Sequence, residues 1–292
     1  MVTIKVPATT ANLGPGFDSL GLAFELYSYF SFTLIESGIK IIGCDSEFQN
    51  EENLVYKAFK KTAEKLNVTF KGIQIEIESE IPVSRGLGSS AACIVGGVMG
   101  ANFIFGNPLS KEEIFEICTS LEGHPDNVAP AIFGGLTASF IDNEKPYTTH
   151  YNISKDIFFY IFIPNFRLST TEARAVLPKY ILHKDAVFNI SRVAVLLKAL
   201  ENSSDSLIKK SLKDNIHEQY RKNLIPEFEN VKNICETNNN LGFFISGAGP
   251  TLINISKDFN LIKKIDDNIK KLKNNWQLYM LNVDYNGAQL VQ

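Results

Sequence analysis

Residues 82 to 92 read Pro82-Val-Ser-Arg-Gly-Leu-Gly-Ser-Ser-Ala-Ala92, PVSRGLGSSAA, a loop with two glycines and three hydroxyls but no lysine. The common phosphate loop G-x-x-x-x-G-K-[ST] combines backbone amides with a lysine charge, and that charge is missing here. Upstream, Ile73, Ile75 and Ile77 alternate with Gln74, Glu76 and Glu78, which predicts a half-buried strand running into Pro82. Downstream, residues 91 to 105 are apolar and rich in small side chains, which predicts a buried helix capped by Ser89 or Ser90. A helix N-terminus carries about half a positive charge and free N–H groups, so it binds anions without a lysine. Gly86 and Gly88 would let the backbone wrap phosphate oxygens, while Ser89 and Ser90 could serve a phosphate and a magnesium ion. A capped helix after a plain turn fits equally well, and this stretch alone does not choose.

Composition narrows the classes. With 292 residues the chain has room for two packed domains or one large one. A 45% hydrophobic content with 21 Phe belongs to a globular protein rather than a disordered one. The net charge is -3, with 29 basic and 32 acidic residues and the lysines scattered, so no nucleic acid partner is expected. Cys44, Cys93, Cys118 and Cys235 lie far apart without a C-x-x-C pair, which points to a reduced, cytoplasmic setting without zinc or disulfides. The start, MVTIKVPATT, lacks a signal peptide's apolar core, and no apolar run is long enough for a membrane span. The mature chain is expected to begin at or near Met1, with no membrane association. Only Arg85, Arg167, Arg174, Arg192 and Arg221 are arginine, so each is a candidate for a place where planar two-pronged geometry matters.

Further helices are predicted at 53–66, on the stripe Leu54, Val55, Ala58, Phe59, Ala63 and Leu66, and at 111–121, where Ser110 and Glu113 form a capping box. Helical patterns recur near 170–177, 185–200 and 226–238, and a Lys/Asn-rich amphipathic helix with a solvated face is expected over 259–275. Strand candidates are 136–141, 157–163, 242–246 and 251–255, the last two joined by a GAGP turn. The polar, proline-containing segment DNEKPYTTHYNISKD (142–156) separates the strand candidate 136–141 from the apolar run 157–163, and a domain boundary is placed there, giving domains 1–150 and 151–292.

Two further motifs, PATTANLGPGFD (7–18) and EGHPDNVAP (122–130), together with PVSRGLGSSAA and Ser246-Gly-Ala-Gly-Pro-Thr251, resemble the GHMP kinases. Within that superfamily, the first two are similar to the homoserine kinase family, and the likeness runs from Pro7 to Asn286-Gly-Ala288. It implies an α+β fold of two domains, the first with a left-handed βαβ crossover and the second ferredoxin-like, with the active site in the cleft between them. It also implies an ATP- and Mg²⁺-dependent phosphotransferase acting on the alcohol of L-homoserine in threonine biosynthesis, and it is compatible with a homodimer.

Carried onto this chain, the resemblance assigns ATP to Pro82, Val83, Ser84, Arg85, Gly86 and Leu87, and onward to Gly88, Ser89, Ser90, Ala91, Ala92 and Cys93. Asn53 would form part of the adenine pocket, and Ser90 with Glu122 would bind Mg²⁺. The acceptor would be held by Asn12, Asp18, His124, Asn127, Thr170, Arg174 and Arg221. Paired arginines suit a carboxylate, Asp18 suits an ammonium, and Asn127 would hold the alcohol near the γ-phosphate. The arginine pair alone also fits a hydroxy acid such as mevalonate, whereas Asp18 favours an amino acid. His124 fits a helix cap as well as a ligand, and Asp126 fits either a catalytic base or a cap for a helix starting at Val128. Phosphoryl transfer rests mainly on positioning and charge stabilisation, so a strong base is not obligatory. One departure stands out: relatives often read HEPYR where this chain has His217-Glu-Gln-Tyr-Arg221, with Gln219 in place of the proline.

Overall fold

Alternating apolar residues at Ile4, Val6 and Ala8, all without solvent exposure, set one face of the opening strand against the core. In the computed structural model, which describes residues 1–291, that strand, β1 (Val2–Ala11), pairs antiparallel with β2 (Leu20–Leu34). β3 (Gly38–Ile42) then forms the sheet edge, and α1 (Leu54–Lys65) carries the chain over to β4 (Gly72–Ser79), which runs parallel to β3 and antiparallel to β2. After the glycine loop come α2 (Ser89–Ile104), α3 (Lys111–Glu122) and α4 (Val128–Phe133). The hairpin β5 (Leu136–Asp142) and β6 (Lys145–Tyr151) attaches to β2.

The small residues of α2 exist for close packing. A Cβ on Gly96 or Gly100 would come within 2.3 Å of Phe30 and Phe32 respectively, and one on Gly97 would meet the Val55 carbonyl of α1 at 2.3 Å. The helix therefore lies flat between β2 and α1, buried nearly all round, as its uniformly apolar sequence requires.

The second sheet contains β7 (Phe158–Ile163), β8 (Gly242–Ile245), β9 (Leu252–Ser256) and β10 (Gln277–Leu281), all antiparallel in the order β10-β7-β9-β8. Between β7 and β8 lie α5 (Thr170–Ala175), α6 (His183–Glu201), α7 (Asp205–Ser211), α8 (Glu218–Arg221) and α9 (Phe228–Glu236). The helix α10 (Leu261–Ile269) leads into β10, completing a β-α-β-β-α-β plan of ferredoxin type. The short strand β11 (Gln289–Leu290) then returns to the first sheet beside β1.

The polar segment at which the sequence divides the domains contains a strand, residues 145–151, because Asn143 and Glu144 (φ +47° and +66°) form a tight hairpin turn and the solvent-facing edge strand needs few apolar residues. The change of sheet falls between Tyr151 and Phe158. Neither Ser89 nor Ser90 caps α2: Gly88, left-handed at φ +70°, holds the N-cap, and both serines lie inside the helix.

Candidate active site

Ahead of α2 the chain turns its carbonyls away from the cleft. Ser84 O accepts from Leu168 N, Arg85 O from Thr251 N, Gly86 O from Ser246 Oγ and Leu87 O from Thr9 N. By contrast, the amides of Gly86 through Ala91 donate to no protein acceptor among the described residues. Positive φ at Ser84, Gly86 and Gly88 produces this arrangement, an anion nest continuous with a helix N-terminus. Glycine is obligatory at two points: a Cβ on Gly86 would lie 2.4 Å from Ser246 O, and one on Gly88 1.9 Å from Thr9 Oγ1. Arg85 points elsewhere, its guanidinium donating to the carbonyls of Pro164, Asn165 and Val83, so its fork ties the loop to the chain beyond β7.

The Ser110–Glu113 capping box starts α3, and Gly123 at φ +90° stops it, which leaves Glu122 at its end facing α2. Ser90 Oγ donates to Glu122 Oε2 at 2.8 Å. Burial pushes the Glu122 carboxyl above its ordinary range, against the lowering effect of that hydrogen bond. His124 Nδ1 lies 2.7 Å from Asp126 Oδ1, and this pairing raises the imidazole's pKa. The Asp126 carboxylate, 2% exposed, also accepts from Asn127 N at 2.8 Å. It therefore braces its neighbours, while Asn127 is the N-cap residue of α4 and makes no side-chain cap bond.

At the opposite end, Arg174 on α5 grips Asp18 bidentately, at 2.7 and 3.1 Å. The two groups assigned to a carboxylate and an ammonium thus hold each other. Arg221, 2% exposed, donates to the Ala173 and Gly247 carbonyls and leaves Nη2 without a protein partner among the described residues. Burial and the nearby Arg174 lower its pKa to about 10, so it stays charged at neutral pH. The ring of Phe17 lies near both guanidiniums, its centroid 5.7 and 5.2 Å from the carbons of Arg174 and Arg221. The Asn12 side chain is committed internally, donating to Gly247 O and accepting from Asp18 N. Gln219 is exposed and donates to Asn215 O, so the departure from HEPYR leaves Arg221 in place.

A single cavity of about 700 Å³ joins the two ends, within the usual range for small-molecule sites. It is lined by the loop from Pro82 to Gly86, by Gly88, Ser89, Ser90 and Cys93, by Glu122, His124, Asp126 and Asn127, and by Asn12, Asp18, Thr170, Arg174 and Arg221. Asn53 also lines it, although its side chain caps α1 through Val55 N and donates to Phe48 O. The side chains of Leu87, Ala91 and Ala92 are buried in the first core instead, and none of the three lines the cavity. The sequence reading missed Cys44, Phe48 and Ala248, all on the cavity wall; only Ala248 carried a signal, inside the SGAGPT motif.

Residues 53–135 match the model of the GHMP kinases N terminal domain, and residues 196–275 match that of the GHMP kinases C terminal. A homoserine kinase of Clostridium botulinum strain Langeland is 47% identical over 292 residues, covering 99% of this chain and 98% of its own. The chain belongs to the homoserine kinase family of GHMP kinases. A homoserine kinase of Clostridium beijerinckii is 45% identical over 100% of this chain and 99% of its own. The crystal structure of homoserine kinase from Cytophaga hutchinsonii superposes with a TM-score of 0.89 at 30% identity, covering 99% of this chain and 97% of that one. The α+β, two-domain GHMP kinase architecture expected from the motifs is the one found. Among the described residues of this GHMP kinase, no helix is long and apolar enough to cross a membrane.

Proposed function

We propose that this protein transfers the γ-phosphoryl group of ATP to the side-chain hydroxyl of L-homoserine, giving O-phospho-L-homoserine on the route to threonine. The observation that carries this reading is the set of unpartnered amides at Gly86, Gly88, Ser89 and Ser90, residues that line the same cavity as Asp18, Arg174 and Arg221. The amides and the α2 dipole hold the phosphates, with Asn53 beside the base. Ser90 and Glu122 would hold Mg²⁺, since the hydroxyl and the carboxylate stand together and are the hard oxygen donors that this ion prefers. When bound, the ion neutralises charge on the β- and γ-phosphates.

Arg174 and Arg221 bind the substrate carboxylate, Asp18 binds its ammonium, and Asn127 holds the alcohol toward the γ-phosphate. His124, Asn12 and Thr170 shape this end, and Asp126 holds His124 and Asn127 rather than acting as a base. The four free thiols support a cytoplasmic setting. An ADP-release assay with homoserine, mevalonate and no acceptor tests the reading. Release that depends on homoserine supports it; a preference for mevalonate, or release indifferent to any acceptor, overturns it.

A further inference from the structure

Thr9 lies outside the cavity wall, is fully buried, and touches both the glycine loop and Asn127. Its backbone N–H donates to Leu87 O in the glycine loop, and its Oγ1 occupies the space that a Cβ on Gly88 would need. The same Oγ1 donates to Asn127 Oδ1 at 2.8 Å. The register of β1 against β2 shifts between Pro7 and Ala8, just before this residue. Such irregularities re-aim side chains beside active sites. Here Thr10 Oγ1 bonds Ser246 Oγ, toward the second sheet's loop, while Thr9 meets Asn127 and Gly88.

We propose that Thr9 is a positioning residue that, together with the Asp126 carboxylate, fixes the orientation of the Asn127 amide, so that its N–H donors rather than its carbonyl face the reacting oxygens. An asparagine amide is nearly symmetric in shape, and only its hydrogen bonds decide which end points where. The other bond available to it, from Nδ2 to Asp126 Oδ1, is long at 3.4 Å and shares an acceptor already used by His124 and the Asn127 N–H. The Thr9 hydroxyl, able to donate or accept, anchors the inner end of the amide, and the acceptor-only Asp126 carboxylate beside Nδ2 makes that inner end the carbonyl, to which Thr9 then donates. Transferred phosphoryl oxygens are acceptors only, so the flipped amide would set carbonyl oxygen against them. This role rests on the phosphoryl-transfer reading above, in which Asn127 meets the alcohol and the γ-phosphate.

The test compares Thr9→Val, which keeps the shape and loses the donor, with Thr9→Ser, which keeps the donor, and with Thr9→Ala as a smaller variant should valine disturb the loop. With homoserine and Mg-ATP, Thr9→Val should lose about 10- to 100-fold in kcat while both KM values move less than about threefold, since misplacing a reacting contact costs rate rather than binding. Thr9→Ser should stay within about threefold of wild type, because the donor remains. In an Asn127→Ala background, Thr9→Val should add no further loss, as expected of two residues acting through one contact. The Asn127 side-chain amide resonances, read in ligand-free protein, should move in Thr9→Val and Thr9→Ala and hold in Thr9→Ser. An active wild type with undiminished Thr9→Val and Thr9→Ala, unmoved amide resonances, or a full multiplicative loss in the Asn127→Ala background overturns the role of Thr9. A wild type that does not phosphorylate homoserine overturns the functional reading instead, and the amide resonances then still decide the point about Thr9.

Discussion

The two ends of the cavity are built on opposite principles. At the glycine loop, recognition is main-chain: the carbonyls are turned into the protein and the amides from Gly86 to Ala91 stand open. At the acceptor end it is side-chain, and the charges are already engaged, Asp18 with Arg174 and Arg221 with two carbonyls. An anion entering the first end breaks no protein contact. On the proposed roles, an amino acid entering the second must exchange partners, its carboxylate replacing Asp18 on Arg174 while its ammonium takes Asp18. Such an exchange favours a zwitterion, because a ligand with one charge alone would leave one member of the pair unmatched. One end is preformed and tolerant; the other selects.

The largest effect that can break this contrast is expected from Gly88→Ala. Its Cβ would collide with Thr9 Oγ1 at a backbone angle that favours glycine, so the nest must distort. A fall of about 10²- to 10³-fold in kcat/KM for ATP is expected, the scale of losing a preorganised oxyanion donor, with homoserine binding by calorimetry retained. Normal ATP kinetics would mean that the cradle is not made of main chain.

Arg174→Lys sharpens the other side by keeping charge and losing the fork. It should cost on the order of 1.5 to 3 kcal/mol, roughly 10- to 150-fold in kcat/KM for homoserine, with the ATP KM unchanged. Homoserine amide should be a poor substrate for wild type and should suffer much less from the substitution. Equal losses on acid and amide in a folded variant would reduce the Asp18 pair to a structural bridge.

The smallest effect is on pH dependence and is read at the acceptor end. Glu218, on the same helix as Arg221, accepts from Ile245 N at 2.8 Å and is pushed up to about 8 by burial and by Asp214. An unfolded glutamate titrates near 4.3, so between these values the folded chain binds more protons than the unfolded one. Stability from this group therefore falls as pH rises from about 5 to 8. Thermal melts of Glu218→Gln, which still offers an acceptor to Ile245, should show a shallower decline across that window. An unchanged slope would place the ionisable group responsible elsewhere.

The legible parts were those written in consecutive residues. The capping box at Ser110, the strand into Pro82 and the small-residue helix behind it follow from local rules, and all three are present. The hairpin at 145–151 was hidden because an exposed edge strand has no apolar alternation to announce it. The N-cap of α2 was misread because serine outranks glycine by side-chain chemistry, whereas the loop needed a left-handed residue packed against Thr9. The Asp18–Arg174 pair joins residues 156 positions apart, and the motifs named both partners without saying that they would meet. Thr9 stands inside the PATTANLGPGFD motif, but nothing local announced its bond to Asn127, 118 positions away.

The pairing of β1 with β11 also bears on how the molecule comes into being. Ile4 faces Leu290, Ala288 N donates to Ala131 O, and Gly135 N donates to Asp284 O. The strand that carries Thr9 toward the reaction centre thus has its outer edge closed by a segment far away in the sequence. Long-range closure of this kind slows folding and leaves a strand edge open during synthesis. It also brings the two extremities of the sheet together, so that a short covalent bridge between them, with new ends opened at an exposed loop tip such as Asn143-Glu144, would turn the slowest contact to form into a local one.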